Sequence, residues 1–555
     1  MRTVFVFIVI MLACGIGTYV AWDRGVIDLS KLGIEIDSTE KTVRKDVLKQ
    51  DKASKPIVSK PKVSKPIVQV KPKEQTKQEK KAEAKRLKKE KRKEQKKLGY
   101  IADPLWKAEP LEPTKVEIDI FDLNGPYGNP QGCAALLEEK SYKKHKNQKF
   151  MIPGEDHWVF RTRQDFEPVY KYRENKAELY RIFTEALRLK GTELVVAYLP
   201  PRSVLAVEKI KGGNEYVEDF DSATLKEQYY GLIEAFQNKG VNLTSIPYSD
   251  EGHKYFNWAD HHWNTEGARA MARSVSGKIK ETDQWKNSPK EKFTTAKKGG
   301  KIYDGLYGKV IRDICGFVPY PERDYVYETT KEGDLFGESN PPVVLIGTSN
   351  SKRGEFNSNF DGFLKEALSL DVYNAALSGG GMDDSIINYL ESPAYQKQQP
   401  AFLVWELPSY YNLGGWGMES ALRRAIPAAL GPCDDPIQTF GPEPITGQRL
   451  RVVSEIEKQK ISTEHTYLEL KFDRPLEKDF SISIKTTDRK TKLVKFESPH
   501  EGKADHFFFL LTGVEDKSFL YSVGVNNSKQ RFEGVKVTAK LCSLPESIVA
   551  AEAIE

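Results

Sequence analysis

The stretch "VVLIGTSNS", Val343 to Ser351, decides the fold prediction. It opens with four apolar residues, three of them β-branched, which is typical of a buried strand, and Gly347 ends the run. The amphipathic segment "FNSNFDGFLKEALSL" at 356–370 follows and predicts a helix. Strand, turn and helix in this order form the unit of a parallel α/β sheet, whose ligands bind at the carboxyl ends of the strands. Ser349 is therefore predicted to lie at that edge.

The same alternation of strands and helices extends on both sides of this stretch. Apolar runs at 192–201 ("TELVVAYLPP"), 241–249 ("VNLTSIPYS") and 401–408 ("AFLVWELP") predict further strands. Segments at 177–191 ("AELYRIFTEALRLKG") and 225–240 ("LKEQYYGLIEAFQNKG") have the helical spacing of apolar residues and end at glycine. Residues 100–431 are therefore predicted to form one α/β domain around a parallel sheet.

The carboxy-terminal part has a different pattern. From about residue 432 onward, short alternating segments such as "TYLELKFDRP", "DFSISIKTT" and "EGVKVTAKLCS" are separated by turn residues. This pattern predicts a small all-β sandwich over residues 432–555, bracketed by Cys433 and Cys542. Tyr467 and Phe507 could stack on sugars there, but aromatic residues on such strands more often belong to the core.

The amino terminus predicts a membrane segment. Residues 4–22 carry no charge, and these nineteen residues span about 28 Å as a helix, close to the hydrocarbon thickness of a bilayer. Arg2 precedes the run and mostly acidic residues follow it, which favours a single-pass inner-membrane anchor (1–23) with the remainder in the periplasm. A cleaved signal peptide, which would leave a periplasmic protein, is the alternative. The Lys/Pro-rich residues 24–99 predict an extended, disordered linker.

The charge is unevenly distributed along the chain. Residues 41–97 contain 23 basic and 7 acidic residues, a net of +16, whereas the whole chain has a net charge of +6. The remainder therefore carries 6 − 16 = −10. Because the positive charge belongs to the linker, it does not support nucleic-acid binding by the folded part.

Four cysteines lie beyond the predicted membrane segment, and they are Cys133, Cys315, Cys433 and Cys542. An even number in an exported chain predicts two disulfides, and four cysteines allow three pairings. No two of them are close in sequence, which argues against a zinc site built from cysteine. Neither a metal nor another cofactor is predicted.

A second stretch, "WADHHWNTEG" (258–267), holds the candidate catalytic base. In an extended chain residues i and i+2 share a side, so Asp260 and His262 can meet while His261 faces away. A carboxylate in this position orients the imidazole and stabilises its charged form. This geometry also argues against both histidines binding one metal ion. Asn264 or Thr265 is predicted to cap the helix that follows.

Ser349 and this pair together indicate nucleophilic catalysis. A serine after a strand, combined with Asp-x-His before a helix, supplies a nucleophile, a base and an orienting carboxylate. The backbone N–H of Ser349 and that of Gly380, in the glycine-rich segment 374–385, are candidates for stabilising an oxyanion. The alternative for residues 258–267 is a helix-capping turn in which the Asp–His contact has no catalytic role. The alternative for residues 374–385 is a loop without a function.

Four motifs resemble those of the AlgX/AlgJ family of bacterial exopolysaccharide O-acetyltransferases, which have an SGNH-hydrolase-like domain. They are "GEDHWVF" (154–160), "DHHWNTEGA" (260–268), "GTSNS" (347–351) and "VWELP" (404–408). The resemblance extends over about residues 130–545 and includes the β domain, so it is stronger to AlgX than to the shorter AlgJ. It implies that Ser349 is the nucleophile, His262 the base and Asp260 the orienting carboxylate.

The resemblance also implies the disulfides Cys133–Cys315 and Cys433–Cys542 and a carbohydrate-binding role for the β domain. Asn264 stands where the family usually has Thr or Ser, which puts one local hydrogen bond in doubt. The membrane segment and the linker depart from AlgX as well. The substrate therefore need not be alginate.

These features predict a periplasmic O-acetyltransferase that transfers acetyl groups, through an acyl-serine, to hydroxyls of an exported polysaccharide such as alginate. The resemblance implies a membrane acyltransferase as acetyl donor and other exopolysaccharide assembly and export proteins as partners. Two alternatives stay open. One is an acetylesterase that uses the same residues, and the other is a non-catalytic polysaccharide-binding or assembly protein.

Overall fold

The computed structural model describes residues 127–549, apart from 304, 334–339, 353–357, 455, 457–458, 477–478, 497–503, 512–518 and 528–530. These residues belong to one compact unit. The predicted membrane anchor (1–23) and linker (24–99) lie outside the described residues. Within the described part of the chain, no helix combines the length and the apolar character needed to cross a membrane.

The part of the chain up to residue 430 alternates strands and helices. Its strands are β1 (Tyr127–Gly128), β2 (Met151–Pro153), β3 (Val159–Arg161), β4 (Glu193–Leu199), β5 (Leu243–Thr244), β6 (Phe293–Tyr303), β7 (Val318–Pro319), β8 (Glu322–Lys331), β9 (Val343–Ile346), β10 (Val372–Asn374) and β11 (Phe402–Pro408). Its α-helices are α1 (Glu174–Arg188), α2 (Arg202–Leu205), α3 (Ser222–Asn238), α4 (Thr265–Lys280), α5 (Asp283–Asn287), α6 (Gly308–Cys315), α7 (Phe360–Leu368), α8 (Asp384–Leu390), α9 (Pro393–Lys397) and α10 (Trp416–Leu430).

A five-stranded sheet lies at the centre of this part, in the order β10-β9-β11-β4-β5, and all of its strand pairs are parallel. Alternate residues of each strand face opposite sides. Val196 and Trp405 pack with α1, α3 and α10, whereas Val195 and Val404 pack with α4 and α7. Burial on both faces explains why the strands are continuous apolar runs. The predicted α/β fold with a parallel sheet is confirmed.

Several local features differ from the sequence prediction. Only Leu243–Thr244 of the predicted strand at 241–249 pairs with the sheet. The long antiparallel pair β6–β8 was not predicted at all. Its polar sequence, "TTAKKGG" in β6, lacks the apolar run of a buried strand, and the pair instead packs against α7 through contacts such as Tyr327 with Phe363.

The carboxy-terminal part forms two four-stranded antiparallel sheets, in the orders β12-β19-β14-β17 and β13-β18-β15-β16. The strands are β12 (Gln438–Pro444), β13 (Arg449–Val453), β14 (Thr466–Leu476), β15 (Phe480–Thr486), β16 (Thr491–Phe496), β17 (Ala504–Leu510), β18 (Leu520–Asn526) and β19 (Lys536–Ser543), and a short helix, α11 (Glu546–Val549), follows. Leu468, Ile482, Val523 and Leu541 belong to the core shared by the two sheets. The predicted β-rich region is therefore present.

The aromatic side chains considered for sugar stacking belong to the core. Tyr467 is 5% exposed and Phe507 is 2% exposed, so neither presents a face to a ligand.

Both disulfides that the family resemblance implied are present: Cys133 pairs with Cys315, and Cys433 pairs with Cys542. The domain boundary at residue 431 stays a prediction, because one apolar cluster includes side chains from both sides of it.

Candidate active site

Ser349 lies in the turn that follows β9, at the carboxyl end of the parallel sheet. The backbone N–H of Leu377 donates to the carbonyl of Gly347 and ties the turn to the segment after β10. A Cβ atom on Gly347 would lie 2.6 Å from Oε2 of Glu406 and 2.9 Å from its Cβ. The turn therefore approaches β11 so closely that only glycine fits at its first position.

Glu406, near the end of β11, accepts hydrogen bonds from three residues of the turn. Its Oε2 accepts from the Thr348 N–H at 2.8 Å, from the Thr348 hydroxyl at 2.9 Å and from the Ser351 hydroxyl at 3.0 Å. Its Oε1 lies 3.3 Å from Nδ2 of Asn350. Burial raises the pKa of the Glu406 carboxyl, and these hydrogen bonds oppose the rise. Sequence reasoning quoted this residue only as part of a motif and assigned it no role.

Asp260, His262 and Ser349 form a continuous chain of hydrogen bonds. Nδ1 of His262 lies 2.8 Å from Oδ1 of Asp260, and Nε2 lies 2.7 Å from the Ser349 hydroxyl oxygen. A carboxylate only accepts hydrogen bonds, so Nδ1 carries the proton and Nε2 accepts from the serine. The structure thus brings together all three residues of the predicted triad.

Backbone groups fix the carboxylate in place. The N–H of His262 donates to Oδ1 of Asp260 at 3.1 Å, and the N–H of Leu306 donates to Oδ2 at 3.1 Å. Asp260 is fully buried and His262 is 2% exposed. Because both oxygens of Asp260 accept hydrogen bonds, the side chain cannot rotate away from the imidazole without leaving buried donors unpaired.

Neighbouring residues join the histidine segment to the serine turn. The indole N–H of Trp263 donates to the Asn350 carbonyl at 2.9 Å, and the Trp263 backbone N–H donates to Oδ1 of Asn350 at 3.3 Å. Asn264 caps α4, since its Oδ1 accepts from the N–H of Gly267 at 3.1 Å. The predicted cap is confirmed. Asn264 replaces the Thr or Ser expected at this position and still makes the capping hydrogen bond.

The prediction that His261 faces away from His262 is wrong. The two imidazole centroids are 4.1 Å apart, and Nδ1 of His261 lies 3.4 Å from Oδ1 of Asp260. The prediction assumed an extended chain, but residues 257–262 form a turn closed by the hydrogen bond from Asn257 N–H to the His262 carbonyl. Burial, reinforced by the neighbouring His262, lowers the pKa of His261 to about 3.

The segment that contains Gly380 lies beside the serine turn. Ser349 lies beside the segment that contains Gly380, since Nδ2 of Asn374, at the start of that segment, donates to the Ser351 carbonyl at 2.7 Å. Gly380 itself accepts a hydrogen bond at its carbonyl from the N–H of Asp384. The roles of the Ser349 and Gly380 N–H groups stay predictions. The hydrogen bond from Asn374 to the Ser351 carbonyl was not predicted from the sequence.

Comparison with known proteins shows which proteins this chain resembles. Residues 151–409 match the model of the SGNH hydrolase-like domain of the acetyltransferase AlgX. An alginate biosynthesis protein AlgX of Pseudomonas fluorescens is 28% identical over 433 residues, which cover 74% of this chain and 87% of the relative. A probable alginate O-acetylase AlgJ of Pseudomonas aeruginosa is 27% identical over 296 residues, which cover 48% of this chain and 71% of the relative.

The chain is therefore similar in sequence to AlgX and AlgJ proteins. A solved structure of Pseudomonas aeruginosa AlgX superposes with a TM-score of 0.62 at 24% identity, over 74% of this chain and 99% of that chain, which supports the fold. The matched residues 151–409 include Asp260, His262, Ser349 and Glu406. The hydrogen-bonded triad therefore lies inside the part of the molecule that matches this domain model.

Glu322, at the start of β8, forms a hydrogen bond with the backbone of the histidine segment. Its Oε2 accepts from the backbone N–H of Trp258 at 2.8 Å, and Arg202 donates to the Trp258 carbonyl at 2.8 Å. Burial, reinforced by the nearby Asp324, raises the pKa of Glu322 to about 8, against the opposing effect of the Trp258 hydrogen bond. Glu322 thus contacts Trp258, which lies two residues before Asp260 in the sequence. Sequence reasoning did not identify it.

Two groups of potential metal ligands occur among the described residues. One is Cys433, Glu469 and Cys542, in which both sulfur atoms are already joined in a disulfide. The other is Asp260, His261 and His262, whose ligand atoms lie within 4.8 Å of one another. The prediction that no metal takes part in catalysis stays a prediction.

Proposed function

We propose that the protein is an O-acetyltransferase that passes acetyl groups through Ser349 to hydroxyls of an exported polysaccharide such as alginate. The single observation that carries the proposal is the hydrogen-bonded chain from Asp260 through His262 to Ser349, with distances of 2.8 and 2.7 Å. The names of the AlgX and AlgJ relatives support the substrate class and the acetyl group.

In the first half-reaction Ser349 takes the acetyl group. Its oxygen attacks the carbonyl carbon of the acetyl donor while Nε2 of His262 removes the hydroxyl proton. Asp260 stabilises the imidazolium that forms, and the carbonyl oxygen becomes negatively charged. The N–H groups of Ser349 and Gly380 are the proposed donors to that oxygen. Collapse of this intermediate releases the donor with the proton from His262 and leaves an acetyl ester on Ser349.

In the second half-reaction a sugar hydroxyl attacks the acetyl ester, again with His262 as base. The proton then returns to the Ser349 oxygen as the acetylated sugar leaves, so the enzyme is regenerated and no cofactor is consumed. The proposal includes a membrane acyltransferase as the acetyl donor. It also includes a membrane-anchored location facing the periplasm, with exopolysaccharide assembly and export proteins as partners.

The proposal is tested with Ser349→Ala and the matched control Ser274→Ala, a buried serine on α4 whose hydroxyl contacts the carbonyl of Ala270. A chromogenic acetyl ester serves as donor and an alginate oligosaccharide as acceptor. We expect intact-mass spectrometry to detect one acetyl group on the wild-type protein and on Ser274→Ala, and none on Ser349→Ala. Acetylated oligosaccharide should form only with the first two proteins.

Other outcomes distinguish the alternatives. Ester cleavage without acetylated oligosaccharide, in the presence of saturating acceptor, would indicate an acetylesterase. Normal transfer by Ser349→Ala would refute the acyl-serine mechanism. Acceptor binding without any Ser349-dependent ester cleavage would favour the non-catalytic polysaccharide-binding protein.

A further inference from the structure

A second arrangement surrounds Asp260, and the acetyl-transfer mechanism does not use it. Nδ1 of His261 is a buried atom that has no hydrogen bond among the described residues. It points toward the same carboxylate oxygen that binds His262, at a distance of 3.4 Å. Its ring lies against that of His262, and together the three side chains offer three ligand atoms within 4.8 Å. An unpartnered buried imidazole nitrogen next to a carboxylate requires an explanation.

The distance between His261 and Asp260 fits two ligands of a tetrahedral metal ion. Zinc binds imidazole nitrogen and carboxylate oxygen at about 2.0–2.1 Å, so two ligands of a tetrahedral site are about 3.4 Å apart. The separation between Nδ1 of His261 and Oδ1 of Asp260 is 3.4 Å. Nδ1 of His262, 2.8 Å from the same oxygen, needs a shift of about half an ångström to reach this spacing.

We propose that Asp260, His261 and His262 form an inhibitory site for zinc and ions of similar ligand preference, with water as the fourth ligand. Imidazole and carboxylate are suitable ligands for Zn²⁺, and three protein ligands with an open position are common for it. The side chain of His261 is 17% exposed although its Nδ1 atom is buried, so an ion would enter past the exposed part of this ring.

Inhibition follows from the tautomer of His262. To bind the metal through Nδ1, the imidazole must give up the proton it donates to Asp260. That proton moves to Nε2, so the ring stays neutral and no proton is lost overall. Nε2 then donates to the Ser349 oxygen, 2.7 Å away, and can no longer accept its proton. Ser349 thereby loses its base, while the fold is unchanged.

The metal-binding part of the proposal is independent of the acetyltransferase function, whereas the inhibition part rests on it. Binding is therefore measured separately, by titrating Co²⁺ and recording the visible absorption of a tetrahedral cobalt complex. The proteins are the wild type, Ser349→Ala, His261→Ala and a control, His253→Ala, in which a histidine paired with Glu208 is removed. We expect a one-to-one signal in the wild type, Ser349→Ala and His253→Ala. His261→Ala should give none.

Inhibition is measured as Zn²⁺ titration of chromogenic-ester cleavage, followed by addition of a chelator. Full occupancy should lower the activity of the wild type and of His253→Ala by roughly 10⁴-fold, the loss that a triad shows when its histidine is held in the wrong tautomer. The chelator should restore it. His261→Ala should cleave the ester with or without zinc.

Three results would overturn the proposal. The first is a cobalt signal that persists in His261→Ala, which would place the ion elsewhere. The second is no signal in the wild type. The third is zinc inhibition of equal strength in His261→Ala. Ester cleavage that survives Ser349→Ala would refute the acetyl-transfer mechanism instead, and the cobalt result would still stand by itself.

Discussion

Replacing Glu406 tests whether the serine turn depends on a single buried carboxylate. Four donor groups converge on this side chain: the Thr348 N–H, the Thr348 and Ser351 hydroxyls and the Asn350 amide. Glu406→Gln keeps the shape of the side chain but replaces one acceptor oxygen with an NH₂ group. Glu406→Leu removes both acceptors.

The expected losses follow from the number of donors left without a partner. In Glu406→Gln the remaining oxygen can take the Oε2 position and keep three contacts, and the new NH₂ group can donate to the Thr348 hydroxyl. The Asn350 amide then faces another donor, which costs about 1–3 kcal/mol. Glu406→Leu leaves up to four donors without a partner, which lowers the free energy of unfolding. Part of this loss is offset because a carboxylate is no longer buried, so we expect a net loss of about 3–5 kcal/mol.

Urea unfolding measures these losses, and ester cleavage measures their consequence for Ser349. Because misplacement by about 1 Å can reduce a rate by roughly 100-fold, activity should fall more than the folded fraction does. Glu391→Gln is the control, since it alters a buried carboxyl paired with Arg424, away from the serine turn. It should reduce stability without reducing the activity of the folded protein. A Glu406→Leu protein with wild-type stability and activity would refute the reasoning.

Three further predictions concern the histidine segment. Asp260→Asn should lower ester cleavage by roughly 10⁴-fold because the amide favours the wrong tautomer of His262, and kinetic assays at fixed pH measure this loss. Asn264→Ala removes the cap on α4 and should lower the free energy of unfolding by about 1 kcal/mol, measured by urea denaturation. The pKa of Glu322 is raised from 4.5 to about 8 in the folded state, so the unfolded chain loses this proton first and stability should fall as pH rises between these values. Glu322→Gln should flatten that slope in unfolding experiments at several pH values.

The sequence predicted the sheet because burial on both faces leaves a clear pattern. Strands buried on both faces, such as Val343–Ile346 and Phe402–Pro408, are continuous apolar runs. The helices between them are amphipathic, so the two kinds of element differ clearly in sequence. The β6–β8 pair was missed for the opposite reason. Its strands are polar and depend on contacts with α7 that only the folded chain provides.

The candidate site was predictable where its residues are close in sequence or end a strand, and not where they meet across the sheet. Asp260 and His262 are two positions apart, and Ser349 follows a recognisable strand. Glu406 reaches the serine turn only because β11 lies beside β9 in a register that pairs Trp405 with Ile346. Strand order is not readable from local sequence. His261 was misplaced because the period-two rule applies to strands and not to turns.

The β-sandwich is held to the α/β part by packed contacts as well as by chain connection. Arg423, near the middle of α10, is paired with Glu419 and lies 3.4 Å from the Leu510 carbonyl of the sandwich. These contacts lie on the face of the central sheet covered by α1 and α10, whereas His262 precedes α4 on the opposite face. A polysaccharide held by the sandwich would therefore have to cross the carboxyl edge of the sheet to reach Ser349. The helix α10, which packs against the sandwich, follows β11 in the chain and is about 22 Å long.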